Sequence, residues 1–379
     1  MKLTTLSFHM QSGWSEPFPT NDSSRTLVVV FGASEFFDNP TPLEQLREAF
    51  PTSHVVGCST SGEIHGDLVL DGSLSVAVMQ FETSEIATAF TQVHNADDSF
   101  AAGQDLAAQL NRDDLKAVFV LSDGLKVNGS ELVRGFNDLL PSSITITGGL
   151  AGDGDRFGRT WNVCNSEPQE GIVSAVGFYG SSIKIGHGSQ GGWDRFGPER
   201  TVTRSSGNVL FEFDGQPALE LYKKYLGEQA SELPATGLMF PLAVRENGTS
   251  ERRIVRTILA VDEDTQSMTF AGDIPQGCLA QLMRANFDRL EDGASGAATM
   301  TQASSASSGD ILSIAISCVG RRLVLGERTE EEIEATLDAL PDGTRQIGFY
   351  SYGEISPYAS GYCELHNQTM TLTTIGEDS

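Results

Sequence analysis

The chain has 379 residues, 39% of them apolar, and carries 51 acidic against 25 basic side chains, a formal net charge of -26. That length and apolar content allow two domains with real cores. The acidic surface repels phosphate backbones and anionic headgroups, which disfavours nucleic acid and membrane surfaces as partners.

Met1 to Met10 has one lysine and no apolar run of signal-peptide length, and no stretch approaches the ~20 apolar residues of a spanning helix, so no membrane insertion and a cytoplasmic location are expected. The first element read is a buried strand over Leu27 to Ala33, then an amphipathic helix over Pro42 to Phe50, stopped by Pro51. Strands follow at His54 to Cys58, Ser73 to Phe81 and Glu85 to Val93, then a helix over Asp98 to Leu110 and a strand over Ala117 to Leu121. A helix over Ser130 to Leu140 leads to a strand at Ile144 to Thr147. Between Trp161 and Phe213 short, closely spaced runs (Gly171 to Tyr179, Ser182 to Gly186, Asn208 to Phe213) predict antiparallel strands.

A helix over Pro217 to Leu226 opens the second half, so the fold class expected is α/β, with two mixed-sheet domains over 25–213 and 214–375. Strands are predicted at Leu238 to Val244, Arg253 to Val261 and Ser267 to Phe270, and a helix near Leu279 to Leu290. The Gly/Ala/Ser-rich stretch Gly293 to Gly309 is read as helical in its first half. Ile311 to Cys318 is a buried strand, Glu330 to Leu340 a helix, and Gln368 to Ile375 an alternating strand.

The chain echoes itself. Gly57-Cys58-Ser59-Thr60-Ser61-Gly62-Glu63-Ile64 and Gly348-Phe349-Tyr350-Ser351-Tyr352-Gly353-Glu354-Ile355 share the pattern G-x-x-x-x-G-E-I, each after a buried strand and a proline-terminated helix and each before a returning strand. Two related strand-helix-strand-strand units are therefore expected, of the kind a pseudo-twofold relates. Glycines permit close backbone approach, hydroxyls offer donors, and the Glu places a charge where a buried strand meets a loop, the position at which α/β folds tend to bind ligands. The bland alternative is a bulged strand end with the Glu capping local amides. A phosphate loop is excluded because Glu stands where Lys is required.

Asp123, and Asp153 with Asp155, lie in glycine turns after strands, where carboxylates can bind cations or ligand amines although Asp-Gly is foremost a turn signal, and Gly149 sits in a glycine-rich strand end without a dinucleotide fingerprint. No histidine pair has i, i+4 spacing, and the five cysteines are scattered with no C-x-x-C, so no metal site or disulfide scaffold is expected. His187, in a Gly-rich loop with Trp193, and His366, beside Asn367, are the alternatives for an axial haem ligand, and a locally bonded structural role is favoured for both. Cys58 as the nucleophile of a hydrolase is a minority reading, since no G-x-S-x-G or H-E-x-x-H accompanies it.

Several of these segments together resemble the FIST family: Val56 to Ile64, Leu121-Ser122-Asp123-Gly124-Leu125, Thr147 to Asp153, Pro217-Ala218-Leu219 with Tyr222, Ser317-Cys318-Val319-Gly320-Arg321, Gly348 to Ile355, and His366-Asn367-Gln368-Thr369. The resemblance covers nearly all of the chain from about Leu27 and implies an N-terminal and a C-terminal FIST domain in a bacterial sensory protein, with amino acids or related metabolites as ligands and no catalysis. Some relatives are haem proteins that sense nitric oxide and act on a histidine kinase or a cyclic-di-GMP enzyme. With no kinase or output domain recognised here, a separate partner is expected to carry the signal. On this reading Glu63 or Glu354 holds a ligand ammonium, Ser59, Thr60 and Arg321 hold its carboxylate or other polar groups, Tyr350 or Tyr352 covers its apolar part, and Ser61 is a further ligand-binding candidate. Haem is the alternative cofactor; otherwise none is expected.

Overall fold

The computed structural model describes residues 1–164, 167–233, 235–245, 253–302, 309–357 and 361–378. Among them are four sheets, and three follow one plan. In the first, Thr26–Ala33 and His54–Thr60 run parallel around the helix Thr41–Ala49, and Ser73–Gln80 returns antiparallel beside Thr26–Ala33, with Lys2–His9 next to it. In the second, Leu115–Ser122 and Thr145–Leu150 are parallel around Gly129–Leu139, followed by Ile172–Tyr179 and Glu85–Gln92. In the third, Leu312–Cys318 and Arg345–Ser351 are parallel around Thr329–Asp338, followed by Met370–Glu377 and Ile183–Gln190. The central strands are apolar on both faces because each sheet is covered on both sides, as parallel pairs require.

The fold is α/β, as the sequence implies, and the two echoed units are present. A third copy lies between them, and the three are joined in a closed cycle. The hairpin Glu63–His65/Leu68–Leu70 leaves the first unit to pair with Arg345–Ser351 of the third. The hairpin Gly353–Pro357/Cys363–His366 leaves the third to pair with Thr145–Leu150 of the second. The hairpin Asn162–Cys164/Glu167–Gln169 leaves the second to pair with His54–Thr60 of the first. The inner faces of all three sheets meet in one core, where Val29 and Phe31, Phe119 and Leu121, and Ile314 and Phe349 are buried together. Phe31 and Phe349 pack with ring centroids 4.6 Å apart.

Residues 194–284 form a β-rich insert between the first strand of the third unit and the rest of it, with its own core around Val202, Phe213, Tyr222 and Phe270. Here the structure corrects the helix expected near Leu279 to Leu290. Leu279–Arg284 is a strand in which Ala280 and Leu282 point into the core while Leu279 and Gln281 are half-buried, a period of two held between Asp194–Ser206 and Leu242–Arg245. The helix begins only at Phe287, after Asn286 caps the Arg289 N–H, and runs to Met300. It takes in the first part of the Gly/Ala/Ser-rich stretch, as expected; residues 303–308 lie outside the described residues. Likewise Leu242–Arg245 is a shorter strand than predicted, preceded by a 3-10 turn over Ala235–Met239.

Candidate functional site

The glycine that opens each strand-end motif is fixed by sterics. A Cβ at Gly57, Gly148 or Gly348 would collide with the carbonyl oxygen of Val30, Val120 or Ala315 on the neighbouring parallel strand. Four residues further on, the three units meet. Ser61 N–H donates to Tyr350 O at 2.8 Å, Tyr352 N–H to Leu150 O at 3.2 Å, and Gly152 N–H to Ser59 O at 3.0 Å, so each unit donates to another around a ring. This ring places the ends of the three parallel strand pairs side by side, and with them the Thr60–Glu63 segment, Asp153 and Tyr352.

The residue after each opening glycine faces the incoming hairpin, and the register makes three positions equivalent: Glu63 opposite Phe349, Glu354 opposite Gly149, and Asn162 opposite Cys58. Glu63 accepts from the Thr60 hydroxyl and from Ser73 N and Oγ at 3.0 and 2.7 Å. Glu354 accepts from Ser351 Oγ at 2.7 Å and from Thr369 N and Oγ1 at 3.2 and 2.9 Å. Burial raises both carboxyls against the pull of those donors, Glu63 to about 7 and Glu354 to about 8. In the second unit the whole set differs: Ala151 stands for Thr60 and Ser351, Ile172 for Ser73 and Thr369, and Asn162 for the glutamates.

Around the first unit this junction opens to solvent. A cleft of about 300 Å³ is lined by Ala33, Glu35, the Thr60–Glu63 segment, Asp71 and Gly72 of that unit, by Asp153 to Arg156 of the second, and by Arg322 of the third. Arg322 donates to Ser61 O and holds Asp71 by two bonds of 2.9 and 2.6 Å. Arg156 pairs with Glu35 and donates to Ser34 Oγ at 2.9 Å. The Asp155 side chain is exposed at the rim. Two guanidiniums and four carboxyl groups beside the Glu63 carboxyl give the cleft both signs of charge within a small volume, which suits a ligand that is itself amphoteric.

Of the residues singled out from the sequence, the cleft therefore brings together Thr60, Ser61, Glu63, Asp153 and Asp155. Asp153 is also the anchor of its own loop, accepting from Gly158 N and Arg159 N at 2.8 Å and from the Tyr352 hydroxyl. Tyr352 stacks on Phe157 at 4.6 Å, behind this loop. Ser59 Oγ accepts from Trp161 N, and Cys58 is fully enclosed in its strand, where burial pushes the thiol up, away from a thiolate at neutral pH.

The others lie elsewhere. Arg321 is fully buried and spends its guanidinium on Glu332, Gly191 O and Leu290 O; Glu332 also takes the Tyr350 hydroxyl at 2.8 Å and Ser317 Oγ at 3.0 Å. Asp123 binds the N–H groups of Leu125, Lys126 and Gly171. Gly149 faces Glu354 across the strand pair, and Glu354 and Asn367 are fully buried. His187 lies mid-strand opposite Thr373, half-buried, with burial lowering its basicity; His366 Nε2 donates to Ser356 O at 3.1 Å; Trp193 Nε1 donates to Gln368 O at 2.7 Å. None of these last three lines the cleft.

Arg322, Arg156, Asp71 and Glu35 were not singled out from the sequence. The Arg321-Arg322 doublet was a visible signal, but on the short helix Val319–Leu325 consecutive side chains point a quarter-turn apart, and only the fold decides which one reaches the cleft. Among the described residues, no helix is long and apolar enough to cross a membrane, and no three His, Cys, Asp or Glu side chains are grouped to hold a metal ion.

The chain is a three-unit α/β assembly with a charged cleft at its strand ends, and comparison with known proteins gives its family. Residues 26–216 match the FIST N domain and residues 218–357 the FIST C domain. The chain belongs to the FIST family, whose domains are associated with sensory signal transduction. An uncharacterized protein of Methanocaldococcus jannaschii is 25% identical over 275 residues, 64% of this chain and 51% of its own, so the chain spans about half the length of that relative. A cyanuric acid hydrolase from A. caulinodans aligns at 10% identity over 78% of this chain and 100% of its own with a TM-score of 0.19, too low to indicate a shared fold.

Proposed function

We propose that this protein is a sensor that binds a small amphoteric metabolite, an amino acid or a close relative, in the cleft between Glu63, Asp71, the 153–156 loop and Arg322, and signals to a separate partner without catalysing a reaction. The observation that carries the reading is the convergence of Arg322 and Arg156 with Glu63 and Asp155 in one cleft built from all three units. A ligand carboxylate competes with Asp71 for Arg322, and the ligand ammonium then has Asp71, Asp155 and Glu63 within the same small volume.

The route outward runs through the same arginine. Arg322 also borders a shallower groove of about 430 Å³ with Val69, Leu323, Gly326, Glu327, Thr329 and Glu330. A ligand that draws the guanidinium off Asp71 therefore alters a surface outside the cleft, which is the differential contact a sensor needs to shift a population. The test is a thermal-shift screen of amino acids and related metabolites, followed by calorimetry. One metabolite class should raise the melting temperature, by ~2.7 kcal/mol of stabilisation at 100 times its dissociation constant, and Arg322→Ala should cut that stabilisation to about half or less. If no metabolite class raises it, the reading fails.

A further inference from the structure

The open cleft has a closed counterpart. Gly32 pairs with Ser59 and Leu74 as Ser317 pairs with Tyr350 and Met370, so the register maps the cleft residues of the first unit onto the third one by one. Ala33, Thr60, Glu63, Asp71 and Gly72 correspond to Cys318, Ser351, Glu354, Asn367 and Gln368. The backbone agrees: Gly72 and its second-unit counterpart Gly171 have φ of 64° and 68°, and Gln368, although not glycine, has φ of 62°.

What differs is the cover. The β-rich insert lies over the third unit, where Arg256 donates to Leu365 O at 3.0 Å and to Asp273 O at 3.2 Å, and Thr257 stands beside Cys318. Beneath it Glu354, Asn367 and Gln368 are all at 0% exposure. Both amide atoms of Asn367 and both of Gln368 lack a hydrogen-bond partner among the described residues. Asn367 follows His366, which pairs with Glu354, and its Nδ2 lies near Gly353; the Gln368 amide lies over Gly320, where there is no side chain in the way. Four unpaired amide atoms on two successive buried residues are costly unless something outside the chain's own groups satisfies them. Gln368 adds the strain of a side chain held in the left-handed region that its two counterparts meet with glycine.

We propose that this buried place beneath the insert is a second binding site, distinct from the open cleft, for a small uncharged molecule with amide-like hydrogen bonding, a donor and an acceptor side by side. Two carboxamides present that pairing, and the ionisable groups around them are already committed: Glu354 to Ser351 and Thr369, Arg321 to Glu332, and Arg256 to the carbonyls of Leu365 and Asp273. A charged ligand finds no uncommitted counter-ion there, whereas a neutral one matches both amides.

Crystals of the full chain, unsoaked and soaked in acetamide as probe, test the site, with Gln368→Gly and Arg322→Ala as companions. Glycine already occupies the equivalent left-handed position in the other two units, so Gln368→Gly leaves the backbone unstrained. Density for a molecule larger than water, bonded to Asn367 and Gln368, is expected in the wild type or its acetamide soak, retained in Arg322→Ala and lost in Gln368→Gly. Ordered water alone, or collapsed amides, in both unsoaked and soaked crystals overturns the proposal. So does occupancy that survives Gln368→Gly, since the amide would then not be a ligand-binding group.

Discussion

Glu63 and Glu354 stand at equivalent places in two units, and each ties an outgoing hairpin to the returning strand through the same three donors: a hydroxyl three residues before it, and the N–H and hydroxyl of the residue that opens the return. One faces the open cleft and the other is sealed. The shared bonds explain why the motif is repeated, and the difference in cover explains why the two copies need not do the same work.

Both carboxyls are raised by burial, from an ordinary 4.5 to about 7 and about 8. A folded-state value above the unfolded one means that the protonated form stabilises the fold. That contribution is complete below pH 4.5 and is lost as pH climbs through 7 and 8, on the order of 3 to 5 kcal/mol for each. Denaturant unfolding between pH 4.5 and 8.5 should show falling stability, and Glu63→Gln with Glu354→Gln should flatten the decline. An unchanged slope in the double variant would rule out these two groups as its source.

Glu377 works in the opposite direction. Burial pushes its carboxyl up, but the N–H groups of Glu82, Thr83 and Ser84 at 2.7 to 2.9 Å outweigh that and hold it at about 2. Its contribution is complete above pH 4.5 and disappears as pH falls through 2. Glu377→Gln should cost ~2 kcal/mol at pH 7 and make the acid limb of the stability profile shallower, which unfolding curves at pH 2 to 5 would reveal.

The echo between residues 57–64 and 348–355 made two units legible in the sequence, and the third was hidden for a physical reason. In the second unit Ala151, Asn162 and Ile172 replace the hydroxyl, carboxylate and hydroxyl of the other two, and the Gly152–Trp161 loop separates the strand end from its hairpin. What survives is what the backbone demands: Gly148 against Val120 O, and a helix closed by an apolar residue and proline, Leu140-Pro141, as in Phe50-Pro51 and Leu340-Pro341. That proline rhythm was readable from the start. The cleft itself was half legible, because Thr60, Ser61 and Glu63 are local to the motif, whereas Arg322 and Arg156 reach it from other units.

Arg322→Ala separates binding from folding. The side chain is 23% exposed and its partner Asp71 73% exposed, so the ion pair adds under ~1 kcal/mol to stability. Affinity for a carboxylate ligand should nevertheless fall at least about tenfold by calorimetry, with Arg322→Lys intermediate because it loses the forked geometry but keeps the charge. A variant that loses several kcal/mol of stability, or that binds as the wild type does, would remove Arg322 from the site.

Its neighbour Arg321 should behave in the reverse way. The guanidinium and Glu332 are both at 0% exposure, and the pair is knitted to Gly191 O, Leu290 O, Ser317 and Tyr350, joining the Val319–Leu325 helix to the Thr329–Asp338 helix, the Phe287–Met300 helix and the loop after Ile183–Gln190. Arg321→Leu leaves the Glu332 carboxylate buried with hydroxyl donors but no counter-charge, at a cost of about 3 to 5 kcal/mol. Arg321→Leu with Glu332→Leu removes the stranded charge as well and should recover much of that loss. Ligand affinity, measured on whichever variant stays folded, should match the wild type, because Arg321 reaches neither the cleft nor the unpaired amides of Asn367 and Gln368. Recovery of stability in the double variant together with loss of ligand binding would show instead that Arg321 acts on the ligand through the position of Arg322.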